Sequence, residues 1–170
     1  QEKTIFTSAC IAAFNRDGWL DIYVCSYAWQ VGESNYRYPI PYHDANNGSP
    51  NFLFRNNGAG TFADVTAAVG LDENNTRLSF ACSWADYDRN GWPDLYVAND
   101  FGRKNLYRNE GGRFRDAAPA LGVEDIGAGM SVAWADYDND GWLDLYAGNM
   151  YSTAGLRTTQ QPLFKPDSAN

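Results

Sequence analysis

Short runs of alternating apolar and polar residues, each closed by a turn signal, recur along the chain and predict strands rather than helices. Residues 5–12 predict a strand, residues 20–26 a second, and 78–85 and 128–135 restart the same pattern later. The second strand of each unit carries an aromatic and β-branched centre: Ile22-Tyr23-Val24, Leu95-Tyr96-Val97 and Leu145-Tyr146-Ala147. A third strand is predicted from Phe52-Leu53-Phe54-Arg55-Asn56 and its counterpart Asn105-Leu106-Tyr107-Arg108-Asn109. A fourth follows in Thr61-Phe62-Ala63-Asp64-Val65-Thr66 and in Arg113-Phe114-Arg115-Asp116-Ala117-Ala118. Both end in similar turns, at 67–71 and 119–123.

The unit is therefore four short strands in roughly 50 residues, which is the arithmetic of a β-propeller blade. The expected fold is all-β: a partial β-propeller of about three four-stranded blades, spanning residues 1–170 as one domain. The third unit lacks its end, because 161–165 falls where the third strand should lie and no Phe-x-Asp strand follows. Three blades leave raw sheet edges, so the expectation is a piece of a larger ring, completed by further blades or by a partner protein.

Between the first and second strands of every unit sits a repeated acidic phrase. The third copy reads Asp136-Tyr137-Asp138-Asn139-Asp140-Gly141-Trp142-Leu143-Asp144. The second reads Asp86-Tyr87-Asp88-Arg89-Asn90-Gly91-Trp92-Pro93-Asp94, and the first Ala13-Phe14-Asn15-Arg16-Asp17-Gly18-Trp19-Leu20-Asp21. Oxygen-bearing side chains at positions 1, 3, 5 and 9, with glycine at 6, suit a loop curled around a hard cation, and the carbonyl at 7 supplies another oxygen. The expected ligands are Asp136, Asp138, Asp140, the Trp142 carbonyl and Asp144 in the third loop. In the second they are Asp86, Asp88, Asn90, the Trp92 carbonyl and Asp94. In the first they are Asn15, Asp17, the Trp19 carbonyl and Asp21, with Ala13 supplying nothing. Calcium is expected in the third and second loops; the first stays open between an ion and a plain Asx-Gly turn. Affinity should fall from third to first with ligand charge.

Other cations and other calcium motifs fit less well. An EF-hand would need glutamate at position 12 and flanking helices, and position 12 here is Val24, Val97 or Ala147. Magnesium wants stricter geometry, and transition metals want histidine or thiolate, of which the chain has a lone histidine, His43.

Charge strengthens this picture. The formal charge is −8, and nine carboxylates lie inside the three loops, so three divalent ions would leave −2. That balance gives no support for a nucleic-acid groove, which would need a basic patch. Hydrophobic residues at 44% and aromatics at 15% argue against disorder. No apolar run is long enough to span a bilayer, and Gln1 is expected to follow either a removed leader or further chain of a longer protein.

The three cysteines are at 10, 25 and 82. Placing Phe14 opposite Asp21 in the first hairpin sets Cys10 opposite Cys25, a pair that an oxidising compartment could join or that could simply pack as two small buried residues. Cys82 aligns with Ala9, so it is expected to face away and stay unpaired.

The spacing of the acidic loops is uneven, 73 residues and then 50, and the excess sits mostly at 27–50. This aromatic-rich insertion is expected to be a long loop, with Trp29, Tyr36, Tyr38 and Tyr42 as candidate partner contacts. Trp19, Trp92 and Trp142, like Trp84 and Trp134, are expected to fill the gaps between blades. His43 beside Asp44 has no nucleophile context, so no catalysis is expected.

These phrases, with Gly60-Thr61-Phe62-Ala63-Asp64-Val65-Thr66, resemble the FG-GAP/VCBS repeat family, in its bacterial and cartilage-acidic-protein-like branch. The resemblance implies an integrin-alpha-type propeller of seven blades with calcium in the loop between the first two strands of a blade. It also implies tasks of binding rather than chemistry. The expected function is an extracellular, cell-surface or periplasmic calcium-binding module for protein binding, adhesion or assembly. The alternatives are a carbohydrate-binding, lectin-like propeller and the non-catalytic part of a larger secreted enzyme.

Overall fold

The computed structural model of the chain describes residues 3–31, 35–36, 38–42 and 44–150. Three antiparallel sheets follow one another along it. The first joins β1 (Lys3–Ala12), β2 (Asp21–Val31), β4 (Phe52–Asn56) and β5 (Phe62–Asp64) in that order, with β3 (Asn35–Tyr36) as an extra pair on β2. The second joins β6 (Leu78–Ala85), β7 (Asp94–Phe101), β8 (Asn105–Asn109) and β9 (Phe114–Asp116). Of the third, the described residues contain β10 (Gly129–Ala135) and β11 (Asp144–Asn149). The strand expected at 161–165 lies outside the described residues.

The sheets pack face to face, and the middle one shows it best: seven of the eight residues of β7 are buried, because it is covered on both sides. Between the first and second sheets lie Phe14, Tyr23, Cys25 and Leu53 against Leu95, Val97, Tyr107 and Phe114. Between the second and third lie Tyr96, Leu106 and Ala118 against Val132, Trp134, Leu145 and Ala147. The same residue types recur at the same blade positions in both interfaces. Trp84 meets Tyr23 edge-on at 6.3 Å, and Trp134 meets Tyr96 edge-on at 6.3 Å. These two tryptophans do fill the gap between blades.

Facing sheets also explain how the cysteines lie. Phe14 reaches Asp21 through its N–H to the carboxylate at 3.2 Å, and the ladder itself starts with Ala12 opposite Asp21. That two-residue difference places Cys10 opposite Tyr23 and Cys25 opposite Ser8, so the expected Cys10–Cys25 pair across the hairpin does not form. Cys82 was expected to point away, yet it packs into the same core as Cys10 and Cys25. The reason is parity: two sheets that face each other present side chains of opposite register to their common gap, so a position one residue out of phase in the next blade points inward. All three thiols are free.

The insertion begins later than the sequence suggests, because β2 runs on to Val31 and pairs Gln30 with Tyr36 of β3. Its return folds down onto the second sheet. Gly48 donates its N–H to the Thr76 carbonyl at 2.7 Å, so close that a Cβ on Gly48 would sit 2.7 Å from the Tyr27 carbonyl oxygen. Asn51 exchanges hydrogen bonds with Asn75, and Asp44 takes Arg77 at 2.8 Å and Arg103 at 3.1 Å. Burial pushes the Asp44 carboxyl up, but Arg103 and Arg77 outweigh it and hold the group below the usual carboxylate range. This half of the insertion is a clamp between two blades.

Candidate metal centres

Each acidic phrase folds into the loop that joins the first two strands of its blade. Two residues per loop take left-handed backbone. The glycine at position 6 does so at φ 89° (Gly18), 86° (Gly91) and 89° (Gly141), as the tight reversal requires. Position 4 also does so, at φ 58° (Arg16), 57° (Arg89) and 60° (Asn139). Asparagine tolerates this region; arginine costs roughly 1 kcal/mol there. The two arginines gain a contact in exchange. Arg16 lies over the Trp92 ring at 5.3 Å from its centroid, and Arg89 over Trp142 at 4.1 Å. Each arginine thus reaches from its own loop to the tryptophan of the next.

That arrangement corrects the expectation for Trp19, Trp92 and Trp142. They do not fill the gaps between sheets; Trp19 is 50% exposed and Trp142 49%. They sit at the loop rim, where an arginine from the preceding loop can stack on them.

Backbone N–H groups aim the carboxylates. In the third loop Asp136 accepts from Asp140 at 3.0 Å and from Gly141 at 2.9 Å, and Asp138 accepts from Asp140 at 3.2 Å. Asp144 accepts from Tyr137 at 3.1 Å. In the second loop Asp86 accepts from Gly91 at 2.8 Å, Asp88 from Asn90 at 3.2 Å and Asp94 from Tyr87 at 3.2 Å. The result is two groups of three carboxylates, Asp86, Asp88 and Asp94, and Asp136, Asp138 and Asp144, each with ligand oxygens within 4.8 Å of one another. Such a group can hold a divalent cation. Asp140 is not in the second trio: its Oδ1 accepts the Trp142 N–H at 2.7 Å, as Asn90 Oδ1 accepts that of Trp92 at 2.8 Å.

The first loop gathers no such group among the described residues. Asn15 donates to Asp17 at 2.8 Å, and Asp17 accepts the Trp19 N–H at 2.9 Å, so these side chains satisfy each other. Asp21 bonds the N–H groups of Phe14 and Asn56.

Like charge gathered and partly buried is costly without a counter-charge. Burial pushes the Asp94 carboxyl up to about 6; the Asn109 and Tyr87 N–H groups oppose the rise, and Asp88 and Asp86 add to it. Asp86 Oδ1 is buried and has no hydrogen-bond partner. An orphaned carboxylate oxygen beside two more carboxylates is what a cation would satisfy, so the second loop fits one. Arg108 partly meets the need already, donating to Asp88 at 2.7 Å.

The residues that anchor position 9 were visible in the sequence as a repeated phrase but had no assigned role. Asn109 gives its N–H to Asp94 at 2.7 Å, and Asn56 gives its own to Asp21 at 2.9 Å. Asn109 also donates through Nδ2 to the Phe14 carbonyl at 2.9 Å, tying the second blade's site to the first blade's loop. The recurrence of Leu53-Phe54-Arg55-Asn56 as Leu106-Tyr107-Arg108-Asn109 was the signal; its role needed the fold.

In the insertion, Tyr38 is 83% exposed, whereas Tyr42 packs edge-on against Phe101 at 5.1 Å. Trp29 and Tyr36 lie on β2 and β3, and His43 lies outside the described residues. No helix among the described residues is long and apolar enough to cross a membrane.

Comparison with known proteins agrees with this architecture. Cartilage acidic protein 1 of Mus musculus, of Homo sapiens and of Xenopus tropicalis are each 38% identical to this chain over 77 residues. The match covers 43% of this chain but 12% of each relative, so the chain spans a small part of those proteins. The FG-GAP-like repeat matches residues 14–97 and again 86–147, taking in all three acidic loops. The FG-GAP-like repeat family is non-catalytic. By that match over most of its length, the chain belongs to the FG-GAP-like repeat family.

Proposed function

We propose that this segment is a calcium-binding part of an extracellular or surface-exposed β-propeller that serves protein binding, adhesion or assembly. One observation carries the reading: two loops in successive blades each bring three carboxylates within 4.8 Å, positioned by backbone N–H groups. Calcium suits them because it takes many oxygen ligands at flexible geometry and is abundant outside cells. Asp140, Asn90 and the Trp142 and Trp92 carbonyls complete the two shells. The third loop binds more tightly than the second, since it offers Asp140 where the second has Asn90 and so carries one more negative charge. The first loop, with Asn15, Asp17, the Trp19 carbonyl and Asp21, binds weakest.

The ions stiffen the blade ends, and the outer faces are left to a partner. The open sheet face of the first blade carries Phe52 and Phe54 stacked at 5.8 Å, and that of the third carries exposed Tyr146. Further blades of a seven-bladed ring would cover both. Exposed Tyr38 is the proposed contact with a protein partner, with Trp29, Tyr36 and Tyr42 as further candidates.

The lectin-like alternative has one feature in its favour, the exposed Trp19 beside Asp17, Arg55, Asn56 and Asn57. Its amides are already engaged, Asn56 with Leu20 and Gly58 and Asn57 with Thr61, and Trp19 stands where a preceding blade would place a stacking arginine. Calcium titration by calorimetry tests the leading reading. Two sites in the intact chain support it; no heat of binding at millimolar calcium would sink it.

A further inference from the structure

The first and second blades meet along their inner strands, β1 and β6, and three reduced cysteines converge there. Cys82 Sγ lies 4.0 Å from Ser8 Oγ; Cys10, two residues on, shares that face of β1, and Cys25 lies opposite Ser8 in the ladder. Thr7 fixes the two strands beside each other, donating its hydroxyl to the Ser79 carbonyl at 2.9 Å. Cys10 and Cys82 are half-buried, while Cys25 is fully buried.

We propose that Cys10 and Cys82 form a disulfide that staples the first blade to the second. Cys82 already rests against the face of β1 that carries Cys10, which is the arrangement a disulfide across the gap needs. Access decides between the two candidate partners of Cys82, because exchange requires an oxidant to reach a sulfur, and Cys10 is half-buried whereas Cys25 is fully buried. The co-reactant is a small disulfide of the kind that maintains an oxidising compartment. Cys10 thiolate attacks it, forming a mixed disulfide and expelling one thiolate. Cys82, deprotonated, then attacks the Cys10 sulfur and expels the second. Two protein thiols become one disulfide, and the small disulfide becomes two thiols. Hydrogen bonding to Cys10, together with burial, holds the Cys82 thiol above its ordinary range, so the second step is slow at neutral pH and quickens in alkaline buffer.

The link is independent of the cation sites and uses none of their residues. Cys10 and Cys82 lie 72 residues apart, so the cross-link closes a long loop and constrains the unfolded chain strongly.

The test is disulfide mapping of the 170-residue chain after equilibration with oxidised glutathione at pH 8.5. Trypsin separates the three cysteines into residues 4–16, 17–37 and 78–89. The expected product is 4–16 joined to 78–89, with the thiol of 17–37 still alkylatable, and a melting temperature raised by roughly 5 to 10 °C that dithiothreitol reverses. Cys25→Ala should keep both effects, and Cys82→Ala should lose both. Finding 4–16 joined to 17–37, or 17–37 joined to 78–89, overturns the proposal. So does recovery of three alkylatable thiols, or of glutathione adducts alone. Should Cys82→Ala fail to fold, the mapping of the unaltered chain decides by itself.

Discussion

At the scale of single residues, the loops separate groups that hold charge from groups that aim it. Asp138→Ala removes one member of the third trio and should cut the calorimetric calcium stoichiometry from two to one, whereas Asn15→Ala should leave it unchanged. Asp94 gives a pH signature with a definite sign. Its carboxyl is pushed up to about 6 from an ordinary 3.8, so without metal the folded chain binds that proton more tightly than the unfolded chain does. In chelator, its contribution to stability therefore improves as pH falls from about 6 towards 4 and worsens as pH rises through that window. With calcium the order reverses, because the ion needs the ionised group and is lost as pH falls through the same window. Melting curves at pH 7 and pH 5 should slope in opposite directions with and without calcium; parallel slopes would count against Asp94 as a ligand. At the loop rim, Arg89→Ala should cost about 1 kcal/mol by urea unfolding and change Trp142 fluorescence, because it removes the stacked cation. The positions 1, 3 and 9 of the trios were legible in the sequence because ligand type and spacing repeat. The left-handed arginine at position 4 was not, since its stacking partner belongs to the next blade.

At the scale of elements, each blade presents one parity of side chains to its predecessor and the other to its successor. Strand alternation was readable, and all eleven strands among the described residues fall in the apolar runs or, for β3, inside the insertion. Which face meets which neighbour was not readable, and the cysteines show why. Sequence alignment correctly matched Cys82 to Ala9, but facing sheets invert the parity, so the residue expected to point away points in. The tryptophans divide by the same logic. Trp84 is a wedge against Tyr23 and Phe114, whereas Trp19 stands on the rim. Trp84→Ala should therefore cost about 3 kcal/mol in urea unfolding, and Trp19→Ala under about 1 kcal/mol.

At the scale of the whole molecule, stability is a sum over blades and the contacts between them, with nearest neighbours carrying most of it. The polar clamp of Asp44, Arg77 and Arg103 and the bond from Asn109 to Phe14 tie neighbouring blades at two separate places. On the proposed calcium reading, ions add to this by binding the folded loops alone. At calcium one hundred times the dissociation constant, each site should contribute about 2.7 kcal/mol, so chelator should lower the melting temperature by several degrees per site. An unchanged melting temperature in chelator would show that the loops hold their shape without an ion. Arg77→Ala breaks the clamp and leaves Asp44 to Arg103 alone; limited proteolysis should then cut within 38–50 faster than in the unaltered chain.

The sequence by itself determined the repeat, the strand content, the acidic loops and the ligand types at fixed spacing, because these depend on local periodicity and on which side chains carry oxygen. It also determined that the third strands of the first two blades end in the same pair, Arg55-Asn56 and Arg108-Asn109. Only the tertiary structure decided which carboxylates gather, which thiols meet and which tryptophans are covered. Those outcomes depend on the gap between sheets, where residues far apart in the chain and of opposite register come within van der Waals contact. Distance across that gap is set by packing, and no pattern along a single strand records it.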